Sequence, residues 1–287
     1  MSDTLQLKHF AETIRRETLQ AFATAGAGHI GGSMSIVETL AVLYGRVMNI
    51  TPDNPQDPNR DRFVMSKGHA GSSLYAALAL KGYFPLDWLG TLNKNGTSLP
   101  SHCDMKKTPG IDVSTGSLGQ GLSIAIGLAL GQRMGDTNAC TYVMLGDGEL
   151  NEGQIWEAAQ FAPFHNLNNL IAFVDNNGKQ LDGSTDDVLA QLDIGAKFAA
   201  FGWHTQVIGG HDIDAIITAI TSAKAQDTAS MIVLNTIKGN GCQYVAETAK
   251  NHHMPADERM QPELARVQQD IDALTAQLVE LGGQPLC

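Results

Sequence analysis

Cysteine is scarce in this sequence: four residues (Cys103, Cys140, Cys242 and Cys287), widely spaced, with no Cys-x-x-Cys pair. So thin a set excludes a disulfide framework and a cysteine zinc site, and it suits a reducing cytosol. Positive charge is scarce too, with 19 lysines and arginines against 30 acids and a net charge of −11. Nucleic-acid binding needs a basic face, so that partner is not expected. A small phosphorylated ligand needs only a local site and a cation, and stays open. Long hydrophobic runs are missing as well. The most apolar stretch, LSIAIGLALG, is about ten residues, half of what a membrane span needs. The opening MSDTLQLKHFAETIRRETLQ has an amphipathic rhythm but no apolar secretory core. Asn95, in Asn-Gly-Thr, fits a glycosylation sequon that has no secretory context here. These absences lead us to expect a cytoplasmic protein with no membrane partner.

What is present is a chain of 287 residues, 43% apolar, with 30 glycines gathered in short motifs. That length supports a substantial core. Helical spacing runs over 5–24 and stops at the glycines of AGAGHIGGS; SIVETLAVLYGRVMNI reads as a second helix, with Ser35 and Glu38 in a capping-box arrangement. A Pro/Asp/Asn loop follows, and then RFVMS as a short buried strand. Strand-like runs at 140–146, 169–175, 203–209 and 230–235 alternate with helical patterns near 152–165, 187–201 and 212–225. The tail over 262–281 is a polar, periodic helix. Alternating β and α elements predict an α/β fold, a parallel sheet covered by helices on both faces. With no internal repeat and no dividing linker, we expect one domain over 1–287, with a helical tail from about 258.

In such sheets ligands sit at the carboxyl ends of the strands. Gly-Asp-Gly (146–148) follows one strand and Asn-Asn-Gly (176–178) follows the next. A hard cation such as Mg²⁺ takes six oxygens, few from protein and the rest from phosphates and water. Asp147, Asn177 and one backbone carbonyl would supply half of that shell. Gly146 and Gly148 let the backbone approach a diphosphate, with the Gly148 N–H free to point at it. The plainer alternative makes Asp147 a helix cap and Asn-Asn-Gly an ordinary turn. The glycines of GAGHIG follow a helical pattern rather than a strand, which rejects a dinucleotide site there.

Gly-Asp-Gly followed one strand later by Asn-Asn resembles the thiamine diphosphate fingerprint. GHIGGSMS, RDRFVMSKGHA, LPSHCD, TPGIDVSTGSLGQGLSIAIGLAL and GDGELNEGQIWEAAQFAPFHNLNNLIAFVDNN, in that order, resemble the transketolase family over about residues 20 to 250. The resemblance implies a thiamine diphosphate-binding fold. Asp147, Asn177 and the Lys179 carbonyl would be ligands of Mg²⁺, for which Ca²⁺ or Mn²⁺ can substitute. It also implies that Gly148 and His69 contact the diphosphate, and that Gly116, Ser117 and Leu118 lie against the aminopyrimidine. Ser117 departs from the proline that full-length members often carry. His29 and His102 would line the substrate channel, and His252 would bridge cofactor and substrate. His253 competes for that last role, since the family usually shows Trp-His-Gly where this chain has NHHM. Imidazole suits ketol transfer because it takes or gives a proton near neutral pH. His9, His165, His204 and His211 lack such contexts and read as structural. Glu152 and Glu157 match acids of a relay between paired sites, or are simply solvated on a helix.

The family's second domain, with the glutamate that activates the cofactor, has no counterpart in this sequence. The resemblance therefore implies the N-terminal subunit of a split transketolase. It would pair with a C-terminal subunit, two of each, inactive alone, and move a two-carbon ketol unit between sugar phosphates of the pentose phosphate type. The other readings are a 1-deoxyxylulose-5-phosphate synthase, a subunit of a 2-oxoacid dehydrogenase, or a non-catalytic cofactor-binding subunit.

Overall fold

The computed structural model describes residues 2–181 and 183–287. The chain opens with α1 (Ser2–Ala25), β1 (Ala27–Gly28), α2 (Ile30–Met34) and α3 (Val37–Val42), the last extended by a wide π-type turn, Leu43–Val47. Next come β2 (Arg62–Met65), α4 (Gly71–Leu80), α5 (Gln120–Met134), β3 (Thr141–Gly146), α6 (Gly153–Phe164) and β4 (Leu170–Asn176). Then follow α7 (Thr185–Leu189), α8 (Ile194–Ala200), β5 (His204–Gly209), α9 (Ile213–Lys224) and β6 (Ser230–Asn235). The chain closes with α10 (Gln243–Glu247), β7 (Met254–Pro255) and α11 (Met260–Glu280).

Five strands form one parallel sheet in the order β2-β3-β4-β6-β5. Successive side chains of a strand point to opposite faces, and here the two faces feed two apolar layers. Phe63, Tyr142, Met144, Ile171, Phe173, Ile232 and Leu234 pack with α1, α3, α4, α9 and α11. Val64, Val143, Leu145, Ala172, Val174, Met231 and Val233 pack with α5, α6 and α8. The sheet is thus covered on both faces, as the near-continuous apolar strands require.

Two expectations are corrected. Ser35 does not open a helix: it closes α2 as the C-cap, Ile36 precedes α3, and the Ser35 hydroxyl donates to the Gly32 carbonyl at 3.1 Å and to Asp175 at 2.7 Å. Glu38, its supposed capping partner, instead pairs with Arg15. The helical pattern at 187–201 is two short helices. Asp193 accepts from the Ala196 N–H at 2.8 Å and starts a new helix, while Leu192 turns the chain at φ 54°.

The register aligns the carboxyl ends that matter, with Gly146 opposite Asp175 and Asn176 opposite Asn235. A second, two-stranded sheet is antiparallel and pairs Ala27 with Pro255 and Gly28 with Met254. It carries the loop before α2 to the segment before α11, so residues far apart in the sequence meet.

Candidate active site

A cavity of about 260 Å³ opens at the carboxyl ends of β3 and β4, with Gly32, Lys67, His69, Leu118, Asp147, Gly148, Asn177, Lys179, Lys238 and His252 in its wall. Asp147 follows the last residue of β3. One of its oxygens accepts from the Gly148 N–H at 2.8 Å and the other from the Gly178 N–H at 2.6 Å. The capping role is therefore real, and it uses one acceptor position on each oxygen. The side chain is buried, at 2% exposure, yet among the described residues no cation pairs with it. Burial, followed by the charge of Asp175, pushes its carboxyl up to about 6. A desolvated carboxylate beside a second acid is a site for a cation.

The other oxygen donors are close by. Asn177 directs Nδ2 to Asp175 at 2.8 Å and accepts from the Lys179 N–H through Oδ1 at 3.1 Å. The Lys179 carbonyl accepts from Lys238 Nζ at 3.2 Å. Among the described residues no three His, Cys, Asp or Glu side chains converge as a metal cage. One carboxylate, one amide oxygen and one carbonyl are instead the few hard donors a magnesium–phosphate site takes from protein. Gly148 is also under steric constraint, because a side chain there would meet Gln180 Cβ at 2.6 Å. The residues present fit the cofactor and its metal.

Sequence reasoning missed the frame beneath. Lys67 Nζ pairs with Asp175 and donates to the Gly32 carbonyl at 2.8 Å, all of it buried. Burial opposes ionisation of Asp175, but the Lys67 charge and hydrogen bonds from Lys67, Thr236 and Ser35 hold its carboxyl below the usual range. Glu149, the second acid of GDGELNE, is a staple. It accepts from the Gly146 N–H at 2.9 Å, the Gly119 N–H at 2.8 Å and the Ser66 hydroxyl. Those bonds tie the 116–119 loop to the end of β3. Lys238 stands 3.3 Å from His252 Nδ1; burial and the charge of Lys67 lower its ammonium to about 8. The available signal was position alone: Lys67, Asp175 and Lys238 each sit at or just past the end of a strand.

The histidines converge. The His29 ring lies 5.4 Å from His69, 5.4 Å from His102, 5.2 Å from His252 and 4.8 Å from His253. The His69 and His252 rings are 4.7 Å apart. Only His252 of the adjacent pair lines the cavity, with Lys238 beside it. Burial, then neighbouring positive groups, lowers His29 to about 4, His252 to about 3, and His69 well below its ordinary value; burial alone lowers His102. The rings are therefore neutral near pH 7, each with one ring nitrogen as a hydrogen-bond acceptor and the other as a donor. Gly116, at φ 141°, backs onto His102, whose Cδ2 would lie 3.0 Å from an added Cβ. Gly116, Ser117, His29 and His102 lie outside the wall of the cavity itself, and Ser117 is exposed. Glu152 lines the mouth, whereas Glu157 is exposed on α6 and does not. His211, read as structural, does bond on both ring nitrogens.

Fold and site together define a thiamine diphosphate-binding domain, and the chain belongs to the transketolase family. Residues 6–270 match the family described as transketolase, thiamine diphosphate binding domain. The chain is similar to the 6-deoxy-6-sulfo-D-fructose transketolase subunit SqwG of a Clostridium species, 52% identical over 89% of this chain and 94% of that protein. It is similar to an apulose-4-phosphate transketolase subunit of Phocaeicola vulgatus, 36% identical over 95% of this chain and 96% of that one. Among solved structures it resembles a transketolase from Pichia stipitis, with a TM-score of 0.84 and 31% identity. There it covers 96% of this chain and 44% of the other, so it spans less than half the length of that transketolase.

Proposed function

We propose that this chain is the N-terminal, diphosphate-binding subunit of a two-chain transketolase. With a C-terminal partner, two of each, it moves a two-carbon ketol unit from a ketose to an aldose. Asp147, a buried carboxylate that pairs with no cation among the described residues and shares the cavity wall with Asn177 and Lys179, carries the reading. Asp147, Asn177 and the Lys179 carbonyl hold Mg²⁺, with Ca²⁺ or Mn²⁺ as substitutes. Gly148 and His69 contact the diphosphate, and Gly116, Ser117 and Leu118 lie against the aminopyrimidine. Bound thiamine diphosphate supplies the carbon nucleophile that carries the two-carbon unit; the protein binds and orients it. His29, His102 and His252 contact the sugar and exchange protons with its hydroxyls.

Two relatives named as subunits match this chain almost end to end, which supports the two-chain reading. Their names place a sulfo or phosphate group on the sugar, so the substrate class is a sugar with an anionic group. Two apolar layers sharing one sheet support a single domain. All four cysteines are free, which fits a reducing cytoplasm, and no helix among the described residues is long and apolar enough to cross a membrane.

Calorimetric titration of thiamine diphosphate, with Mg²⁺ and with chelator, tests the reading. Binding should require the metal and be lost in Asp147→Ala while the fold survives. Unchanged binding in that variant would refute the metal assignment.

A further inference from the structure

Lys238 sits in the cofactor cavity, yet it belongs to no helix or strand. The segment 236–241 that carries it joins β6 to α10 and turns through Gly239 and Gly241 at φ 95° and 76°. Such a segment reaches a fixed position only if its backbone is tied down. At its start the Ile237 N–H donates to His211 Nε2 at 2.9 Å. Since Nε2 accepts, the proton of the neutral ring is on Nδ1, which lies 3.1 Å from Glu38 Oε2. The Ile237 side chain is 58% exposed, so apolar packing does not hold this end; beside His211 the other fixings are the Thr236 N–H, which donates to the Asn176 carbonyl at 3.2 Å, and the Thr236 hydroxyl, which donates to Asp175. Farther along, Asn240 donates through Nδ2 to Glu38 Oε1 at 3.1 Å, and its carbonyl accepts from Arg15 Nη1 at 2.6 Å. Arg15 also pairs with Glu38, and both are buried. Gly31 and Asn251 complete the hold, through the Gly239 N–H at 3.0 Å and the Lys238 carbonyl at 3.0 Å. Glu38 thus ties together the fixings at the two ends of the segment.

We propose that His211 is a positioning residue of the cofactor site: by fixing the Ile237 amide it sets Lys238 against the Lys179 carbonyl and His252. This rests on reading the cavity as a metal and diphosphate site. The imidazole acts at a distance from the ligand, as an outer partner orienting an inner one. Its tautomer, set by Glu38, makes it an acceptor toward Ile237. A glutamine places an amide oxygen near Nε2 and keeps that acceptor, whereas an asparagine reaches only as far as Nδ1.

The test uses His211→Leu, His211→Asn and His211→Gln in the full chain, with two measurements. Amide hydrogen exchange reads residues 236–241 without ligand, and calorimetry reads Mg²⁺–thiamine diphosphate binding. Leu and Asn should speed exchange in the segment and weaken binding by about tenfold or more, and Gln should restore both. Unchanged exchange in Leu, or Asn rescuing as well as Gln, overturns the proposal. Faster exchange with unaltered affinity reduces His211 to a structural residue and overturns it too. Absence of metal-dependent binding in the wild type marks failure of the cavity reading itself, and the proposal falls with it.

Discussion

Three acids in GDGELNE do three different things, and burial together with hydrogen bonding separates them. Among the described residues neither Asp147 nor Glu149, both buried, pairs with a cation, but Glu149 accepts three hydrogen bonds that staple a loop while Asp147 accepts two at the cavity, and Glu152 is exposed at the cavity mouth. Glu38 is a fourth case, a buried acid with a cation. Burial opposes its ionisation, but the Arg15 charge, aided by His211, holds its carboxyl below the ordinary value. A folded-state value below the unfolded one means stability that is present above the unfolded pKa and lost as pH falls through the folded one. Glu38→Gln should therefore lose about 3 kcal/mol at neutral pH, the scale for breaking a buried pair. The gap between wild type and variant should hold down to about pH 5 and close below the ordinary glutamate range. Urea unfolding of both proteins from pH 3 to 8 measures it, and a gap constant to the acid end contradicts the assignment. At this scale the histidines were legible in the sequence, because His29, His69, His102 and His252 each sit in a distinctive local context. Lys67 and Lys238 were not, since a lysine after a strand is ordinarily a solvated one. Only the convergence of three strand ends buries them.

Strands β2, β3, β4 and β6 were legible as elements because each is a mainly apolar, buried run, whereas β5 carries His204, Thr205 and Gln206 at a partly exposed edge of the sheet. Helix ends were less legible. Ser35-x-x-Glu38 has the spacing of a capping box, but the long-range partners Asp175 and Arg15 claim both side chains. Close approaches of elements were invisible, and two glycines of α5 show why. Gly121 faces the end of β2, where an added Cβ would lie 2.2 Å from Ser66 Oγ and 2.7 Å from Ser66 Cα. Ser66 is the residue whose hydroxyl donates to Glu149, so displacing it loosens the staple of the 116–119 loop. Gly127 is exposed, with nothing within 4 Å of an added Cβ. Gly121→Ala should destabilise the chain by about 1–3 kcal/mol through overpacking. Gly127→Ala should stabilise it by about 0.5–1 kcal/mol through helix propensity alone. Denaturation midpoints of the two variants decide this, and changes of the same sign would mean that α5 does not pack on β2 as described.

Binding and turnover separate at the scale of the whole molecule. The metal donors, the diphosphate contacts and the neutral histidines of the proposed site all come from one chain, so the cofactor should bind it without help. A ligand that binds only the folded state stabilises it, by about 2.7 kcal/mol at a concentration 100 times its Kd. Thermal unfolding with Mg²⁺ and thiamine diphosphate should therefore shift upward, and chelator or Asp147→Ala should remove the shift. Turnover is a different matter, because this chain matches a protein named as a subunit over 94% of its length and a whole transketolase over only 44%. Under the two-chain reading the purified chain shows no ketol transfer. Activity appears when a C-terminal partner is mixed in, and it is absent from the same mixture made with Asp147→Ala. Ketol transfer by the chain alone would leave the thermal shift standing but sink the two-chain reading. A shift without turnover in any mixture would instead leave a cofactor-binding protein that does not catalyse.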